Sequence, residues 1–356
     1  MYDAYTISNK RGSLKASVIS VGASIKNLYV VDKNGEERDI VLGLPQPSDY
    51  IDKNVPYFGC VVGRVAGRIR DASFKIDGKS YSLEANNGPN CLHGGKVSFS
   101  HRPWTVENQT ASSIKFSILS PNGDCGFPGT LKVSIEYAVN DSEELSLNYE
   151  AQLINDDEEK DIAATIVNLT NHTYFNLSGF KDLNDLTVVN HIVQTDCNRV
   201  LEKDDSLTAN GKIINVEDNP ALNFTKAKKI GDFIEQIGGY DDCYLVPDYK
   251  EDDPKSESQC IPAISVSCPS SGIKMTMSTT EPAFQFYTGN FLNPSIPTKS
   301  YPHQSDIQYD KHYGFCLEAQ RPPNAINIPG WEKYVILRRN QTYKQTTVYA
   351  FKNDAN

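Results

Sequence analysis

The chain has 356 residues, 39% hydrophobic and 22% charged, with 23 glycines and 19 prolines, an ordinary globular composition with apolar residues enough for a large core. Its formal net charge of −10, with no basic run longer than Arg338-Arg339, repels a phosphate backbone and argues against nucleic acid as a partner. No segment approaches the ~18 apolar residues of a membrane span, and the start, MYDAYTISNKRG, lacks the apolar core of a signal peptide, so a cytoplasmic protein without membrane contact is expected.

In chain order, the first turn signal is Asn34-Gly35. Arg64, Arg68 and Arg70 share a parity in the stretch from Gly63 to Arg70, so their guanidinium groups could project together, into a site or into water. Phe74-Lys75-Ile76 and Tyr81-Ser82-Leu83 flank Asp77-Gly78, the signature of a hairpin. His93 precedes Gly94-Gly95, where the backbone could approach a ligand closely or simply turn. Alternation predicts strands over 114–120, 131–139, 145–154 and 162–169.

From Asn168 to Leu177, alternation continued as a strand places Asn168, Thr170, His172, Tyr174 and Asn176 on one polar and aromatic face. Such a face suits a sugar cleft, and it equally fits a solvated strand with a hydrogen-bonded histidine. Ile230, Phe233, Ile234 and Ile237 recur at helical spacing before the stop signal Gly238-Gly239, which sets Asp241 and Asp242 just past a helix end. The polar tract 248–259 and the stretch 294–308 read as loops, with further strands over 273–279, 284–288, 314–319 and 346–351.

Gln285 and Tyr287 alternate with Phe284 and Phe286, so an amide and a phenol share one side. Glu318 lies opposite the apolar row Phe315, Leu317, Ala319; so flanked, its carboxylate loses solvation, which raises its pKa and makes it a better proton acceptor. The same position also fits a glutamate on an exposed sheet face. The eight cysteines form no C-x-x-C pair and the six histidines no ligand-spaced pair, so neither disulfides nor a metal site are expected. His101 and His191 have no setting that suggests chemistry.

These motifs, in this order, resemble the aldose 1-epimerase (galactose mutarotase) family: Val62 to Ile69, Leu92 to Gly95, Asn168 to Leu177, Gly239 to Asp241, Gln285 to Asn290 and Gly314 to Glu318. The resemblance runs over nearly the whole chain and implies an all-β fold, a large single-domain β-sandwich over 1–356 with few short helices, of a stand-alone, fungal-like kind. It implies Glu318 as general base toward the anomeric hydroxyl and His172 as general acid toward the ring oxygen, with Arg68, His93, Asp241 and Gln285 binding the sugar. A free aldose is then the partner, and no cofactor is needed, because ring opening requires only one proton removed and one delivered.

Two positions depart from the family pattern: Gly67 stands where Asn usually precedes the arginine, and Asp242 where many members carry His. Loss of an amide that bonds a hydroxyl shifts preference between sugars by about 1 kcal/mol or more. The alternatives are an epimerase of hexose 6-phosphates, which would use the arginine row, a sugar-binding relative without turnover, and a retaining glycosidase using Asp241 and Glu318.

Overall fold

The computed structural model describes residues 3–54, 56–154, 161–247, 259–304 and 306–354. Strict alternation over long segments produces its largest element, an antiparallel nine-stranded sheet. Thr105–Gln109, Ser113–Ser120, Leu131–Val139 and Glu144–Leu153 follow one another as neighbours. The late strand Tyr343–Asn353 joins next to Glu144–Leu153 and links it to Ile273–Thr279, followed by Ile261–Ser267, Ile192–Gln194 and Lys228–Lys229. The chain's last described strand is thus a central one, held on both sides by hydrogen-bonded neighbours.

A six-stranded sheet packs over it, in the order Tyr174–Phe175, Phe315–Gln320, Ala283–Tyr287, Asp241–Leu245, Arg199–Lys203 and Ala209–Asn215. Phe284, Phe286, Phe315, Leu317 and Ala319 face the larger sheet and are buried in one core with Tyr343, Tyr349 and Phe351. Two polar side chains from below reach into that interface. Tyr349 Oη donates to the Leu317 carbonyl at 2.9 Å, and Gln345 Nε2 to the Ala319 carbonyl at 2.9 Å, so the backbone on both sides of Glu318 is fixed from beneath. A sheet of Ala4–Ser8, Leu14–Ile19, Ser24–Val31 and Glu37–Asp39 extends the same core, with Tyr5 edge-on to Phe116 at 5.9 Å.

The β-sandwich reading therefore holds, with most strand limits within a residue or three. The Asp77-Gly78 hairpin joins Ser73–Ile76 to Lys79–Ser82 with both turn residues at positive φ, 50° and 81°. The helical spacing near 230 yields a single 3₁₀ turn, Ile230–Asp232, and one α turn, Ile234–Ile237, closed by Gly238 at φ 73°. The predicted loop at 248–259 lies outside the described residues except for its last position. The stretch 294–308 is irregular where described and is pinned: buried Lys299 meets buried Asp39 at 2.8 Å, and Tyr309 Oη donates to Gly43 O at 2.9 Å. All eight cysteines are free.

Two readings need correction. The strand expected over 162–169 shortens to Ala164–Ile166, and the strand expected beyond Asn168 breaks in two. Thr170–Asn171 pairs with Val61–Val62, whereas Tyr174–Phe175 pairs with Phe315–Gln320. The break is an Asn turn: Asn171 Oδ1 accepts from the Thr173 N–H at 3.1 Å, a local bond that competes with the ladder. The arginines, too, part company. Arg64 is buried, donating to Ser120 Oγ, Thr165 Oγ1 and the carbonyls of Ser120, Pro121 and Pro128, while Arg70 pairs with Asp204 at 2.6 Å near the surface. Alternation fails there because the strand is only Arg68–Ile69, with a 3₁₀ turn starting at Arg70.

Arg64→Ala strips several buried acceptors of their donor and should lower unfolding stability by about 3 kcal/mol or more, whereas Arg70→Ala should cost under about 1 kcal/mol. Urea unfolding of the two variants checks this; equal losses would show that Arg64 is not the internal tie described.

Candidate active site

Pairing register decides which side chains leave the six-stranded sheet together. Directly opposed residues share a face, and Glu318 opposes Gln285, Cys316 opposes both Tyr287 and Tyr174, and Asp241 opposes Tyr287. Glu318, Gln285, Asp241, Tyr287 and Tyr174 thus rise from the face away from the core into a cleft of about 740 Å³. All six residues singled out from the sequence line it: Arg68, His93, His172, Asp241, Gln285 and Glu318.

His172 arrives from the Asn turn, between the short strands, with its backbone tied down on both sides. Its N–H donates to Cys60 O at 2.9 Å and its carbonyl accepts from Gly59 N at 3.0 Å. Tyr174, Tyr57 and Tyr287 surround the ring, with centroids 5.1, 5.9 and 6.3 Å away. Nε2 stands 3.6 Å from Glu318 Oε1, and both side chains are buried. Burial drives the imidazole down to about 4 from 6.5. It pushes the Glu318 carboxyl well above its ordinary value, helped by the negative charge of Asp241 and opposed by Arg68. A single proton on the pair therefore rests on Glu318, and the imidazole is neutral. On its far side, Nδ1 lies 3.6 Å from the buried Cys316 thiol. A thiol that donates there leaves the ring proton on Nε2, facing Glu318.

His93 sits at φ 52° just after Leu92, which pairs with Arg68. Gly94 must be glycine: at φ 83° a Cβ would lie 2.1 Å from Gly63 O. The N–H of Gly67 donates to His93 Nδ1 at 3.3 Å, so the ring proton belongs on Nε2, and neutral His93 offers a donor. His93, His172 and Glu318 bring ligand-type atoms within 4.8 Å of one another, yet this wiring of His93 suits hydrogen bonding to a hydroxyl better than metal ligation, which needs a bare Nε2.

Arg68 donates through Nε to Asn87 Oδ1 at 2.9 Å, which fixes its guanidinium along the cleft wall. Gln285 Nε2 donates to Asp241 Oδ1 at 2.7 Å, coupling two of the binding candidates. Burial raises the Asp241 carboxyl, opposed by Lys203, Arg68 and the Gln285 hydrogen bond. Asp242 behaves differently: it opposes Phe286, on the core-facing side, and pairs with Lys203 at 2.8 Å instead of reaching the cleft. Arg64, Arg70, His101 and His191 do not line the cleft either. His191 is a buried structural residue, its Nε2 accepting from Leu177 N at 3.0 Å.

Alternation could not find the rest of the lining. Tyr57 contacts His93 edge-on at 4.8 Å from a loop position at φ 66°, and Asn86 and Asn87 come from another loop. Phe291, 68% exposed, stacks on Tyr287 at the rim with centroids 6.4 Å apart.

Comparison with known proteins gives a consistent picture. The family model described as "Aldose 1-epimerase" matches residues 3–350. The galactose mutarotase of Sus scrofa is 38% identical over 340 residues, 95% of this chain and 91% of that protein, and the one of Homo sapiens is 37% identical over the same shares. The crystal structure of the GalM/aldose epimerase homologue from C. elegans superposes with a TM-score of 0.83 at 27% identity, covering 99% of each chain.

A pair that works with one proton between its members is active between its two macroscopic pKa values. The profile of kcat/KM against pH should be bell-shaped. Its acid limb should fall as pH drops toward about 4, the depressed value of the imidazole, and its alkaline limb should follow loss of the proton from the raised Glu318. An acid limb centred at 6.5, the ordinary imidazole value, would contradict the burial of His172.

Proposed function

We propose, for a chain that belongs to the aldose 1-epimerase family and is therefore an isomerase, that Glu318 and His172 are the acid/base pair and that Arg68, His93, Asp241 and Gln285 bind the sugar. The reaction interconverts the α and β anomers of a free aldose. The observation that carries the residue assignment is the buried contact of His172 Nε2 with Glu318 Oε1 at 3.6 Å on the floor of a cleft that also holds the four polar binding residues.

Ring opening uses the tautomer with the carboxylate on Glu318 and the proton on His172. Glu318 takes the proton from the anomeric hydroxyl as His172 delivers one to the ring oxygen, and the bond between that oxygen and the anomeric carbon breaks to give the aldehyde. Rotation about the bond between the first two carbons exposes the other carbonyl face. Reclosure reverses each transfer: the ring hydroxyl returns its proton to His172, and Glu318 gives its own to the carbonyl oxygen. Net protonation of the pair is unchanged, so no cofactor is consumed. Burial by itself favours the opposite tautomer, and a sugar that donates a hydroxyl to Glu318 within reach of the positive field of Arg68 offsets this. A raised carboxyl pKa then helps, because the carboxylate so formed is the stronger base.

Free hexoses such as glucose and galactose are the substrates we favour, acted on by residues 1–356 as one cytoplasmic domain. Among the described residues no helix is long and apolar enough to cross a membrane. A hexose 6-phosphate reading loses its support, since Arg64 is committed inside the core and Arg70 to Asp204, leaving Arg68 alone of that row in the cleft. The matched proton donor and acceptor likewise weigh against a sugar binder without turnover.

Glu318→Gln keeps the shape and removes the base; it should lower kcat for mutarotation of freshly dissolved α-D-galactose by roughly 10³-fold, as should His172→Gln. Polarimetry with the circular dichroism spectrum as a fold control measures this. Activity within about tenfold of the parent in folded Glu318→Gln would overturn the assignment.

A further inference from the structure

Asp241 is the one sugar-binding candidate whose backbone is enclosed by a ring of charge-assisted hydrogen bonds. Its N–H donates to Asp242 Oδ2 at 3.1 Å, and its carbonyl accepts from Lys203 Nζ at 2.7 Å. Lys203 Nζ also donates to Asp242 Oδ1 at 2.8 Å, which closes the ring. Asp242 is mostly buried on the far face of the strand, and its carboxylate is compensated by this ammonium together with the Asp241 N–H. Lys203 reaches the position because its own strand is irregular. The pairing of Arg199–Lys203 with Ala209–Asn215 shifts register between Leu201 and Lys203, a bulge that re-aims the side chain beyond it.

We propose that Lys203 is a positioning residue for sugar binding: with Asp242 it clamps the backbone of Asp241 and holds that carboxylate, ionised, toward the sugar. The proposal rests on the reading of the cleft as the sugar site. Its two parts have separate physical causes. The clamp fixes both peptide groups around Asp241, so its side chain leaves the strand in one direction, toward Gln285 Nε2 at 2.7 Å. The ammonium, together with Arg68, also offsets burial and the like charge of Asp242. An ionised Asp241 can accept from Gln285 and from sugar hydroxyls at once; a protonated one loses an acceptor and part of its charge. Through the clamp Asp242 influences the sugar without touching the cleft.

Lys203→Met retains the apolar stem and removes the charge. It should raise KM for galactose by about tenfold, the loss expected for one charge-assisted hydrogen bond, with kcat within about twofold of the parent. As pH falls, that KM should begin to climb at a higher pH than the parent's does, because loss of the ammonium lets the buried Asp241 carboxyl gain its proton more readily. Lys203→Arg should restore most of the affinity, and Asp242→Asn should reproduce part of the defect if Lys203→Met does not fold. Calorimetric binding of galactose to Glu318→Gln with and without Lys203→Met reads the clamp without turnover, so it stands apart from the test of the acid/base pair. Unchanged galactose affinity in folded Lys203→Met, or a fall in kcat at constant KM, would overturn the proposal.

Discussion

A carboxylate buried without a full set of hydrogen bonds is the constraint on which the rest of this molecule turns. Glu318 is 3% exposed, and among the described residues its one ion-pair partner within 4.0 Å is the imidazole of His172. Burial of that kind opposes charge, so the carboxyl is pushed up and the imidazole down, and a single proton on the pair sits on the carboxyl. An arrangement so costly to leave unpaired persists only where the surrounding structure holds it in place.

The scaffold supplies that hold through its two sheets. Tyr349 and Gln345 take the carbonyls on either side of Glu318 from the nine-stranded sheet below, while Ala283–Tyr287 pairs it along one edge. His172 is fixed at both its backbone groups by the segment around Gly59 and Cys60. The irregular stretch that forms one cleft wall is anchored in turn by Lys299 on Asp39 and Tyr309 on Gly43. Walls anchored in this way hold the cleft residues in position around the buried pair.

Much of this was legible in the sequence wherever one face of a long strand is buried. The strands Leu131–Val139, Ile273–Thr279 and Phe315–Gln320 follow their alternation to within a residue, and the faces assigned to Glu318 and Gln285 are those observed. Alternation failed at two kinds of place. Around His172 the backbone follows Asn171's own side chain and changes partner strands; alternation still set His172 with Tyr174 on a face suited to a sugar, and the motif resemblance gave its role as acid. Near Arg64 the regular stretch is two residues long, too short for parity to mean anything, and the three arginines scatter to the core, the cleft and the surface. Tyr57, Asn87 and Phe291 reach the cleft from loops, where spacing carries no information about direction. Asp242 shows the reverse error: a residue adjacent to a site residue on a strand points away from the site.

That burial makes His172 a neutral imidazole is open to direct observation. Nitrogen-15 shifts of its ring, assigned by loss of the signal in His172→Gln, can be followed in the sugar-free protein as pH is lowered from 8 toward about 4. The account predicts neutral-ring shifts, with the proton on Nε2, persisting well below pH 6.5. Shifts of an imidazolium at neutral pH would contradict it, for they would place the proton on His172 and leave Glu318 ionised before any sugar arrives.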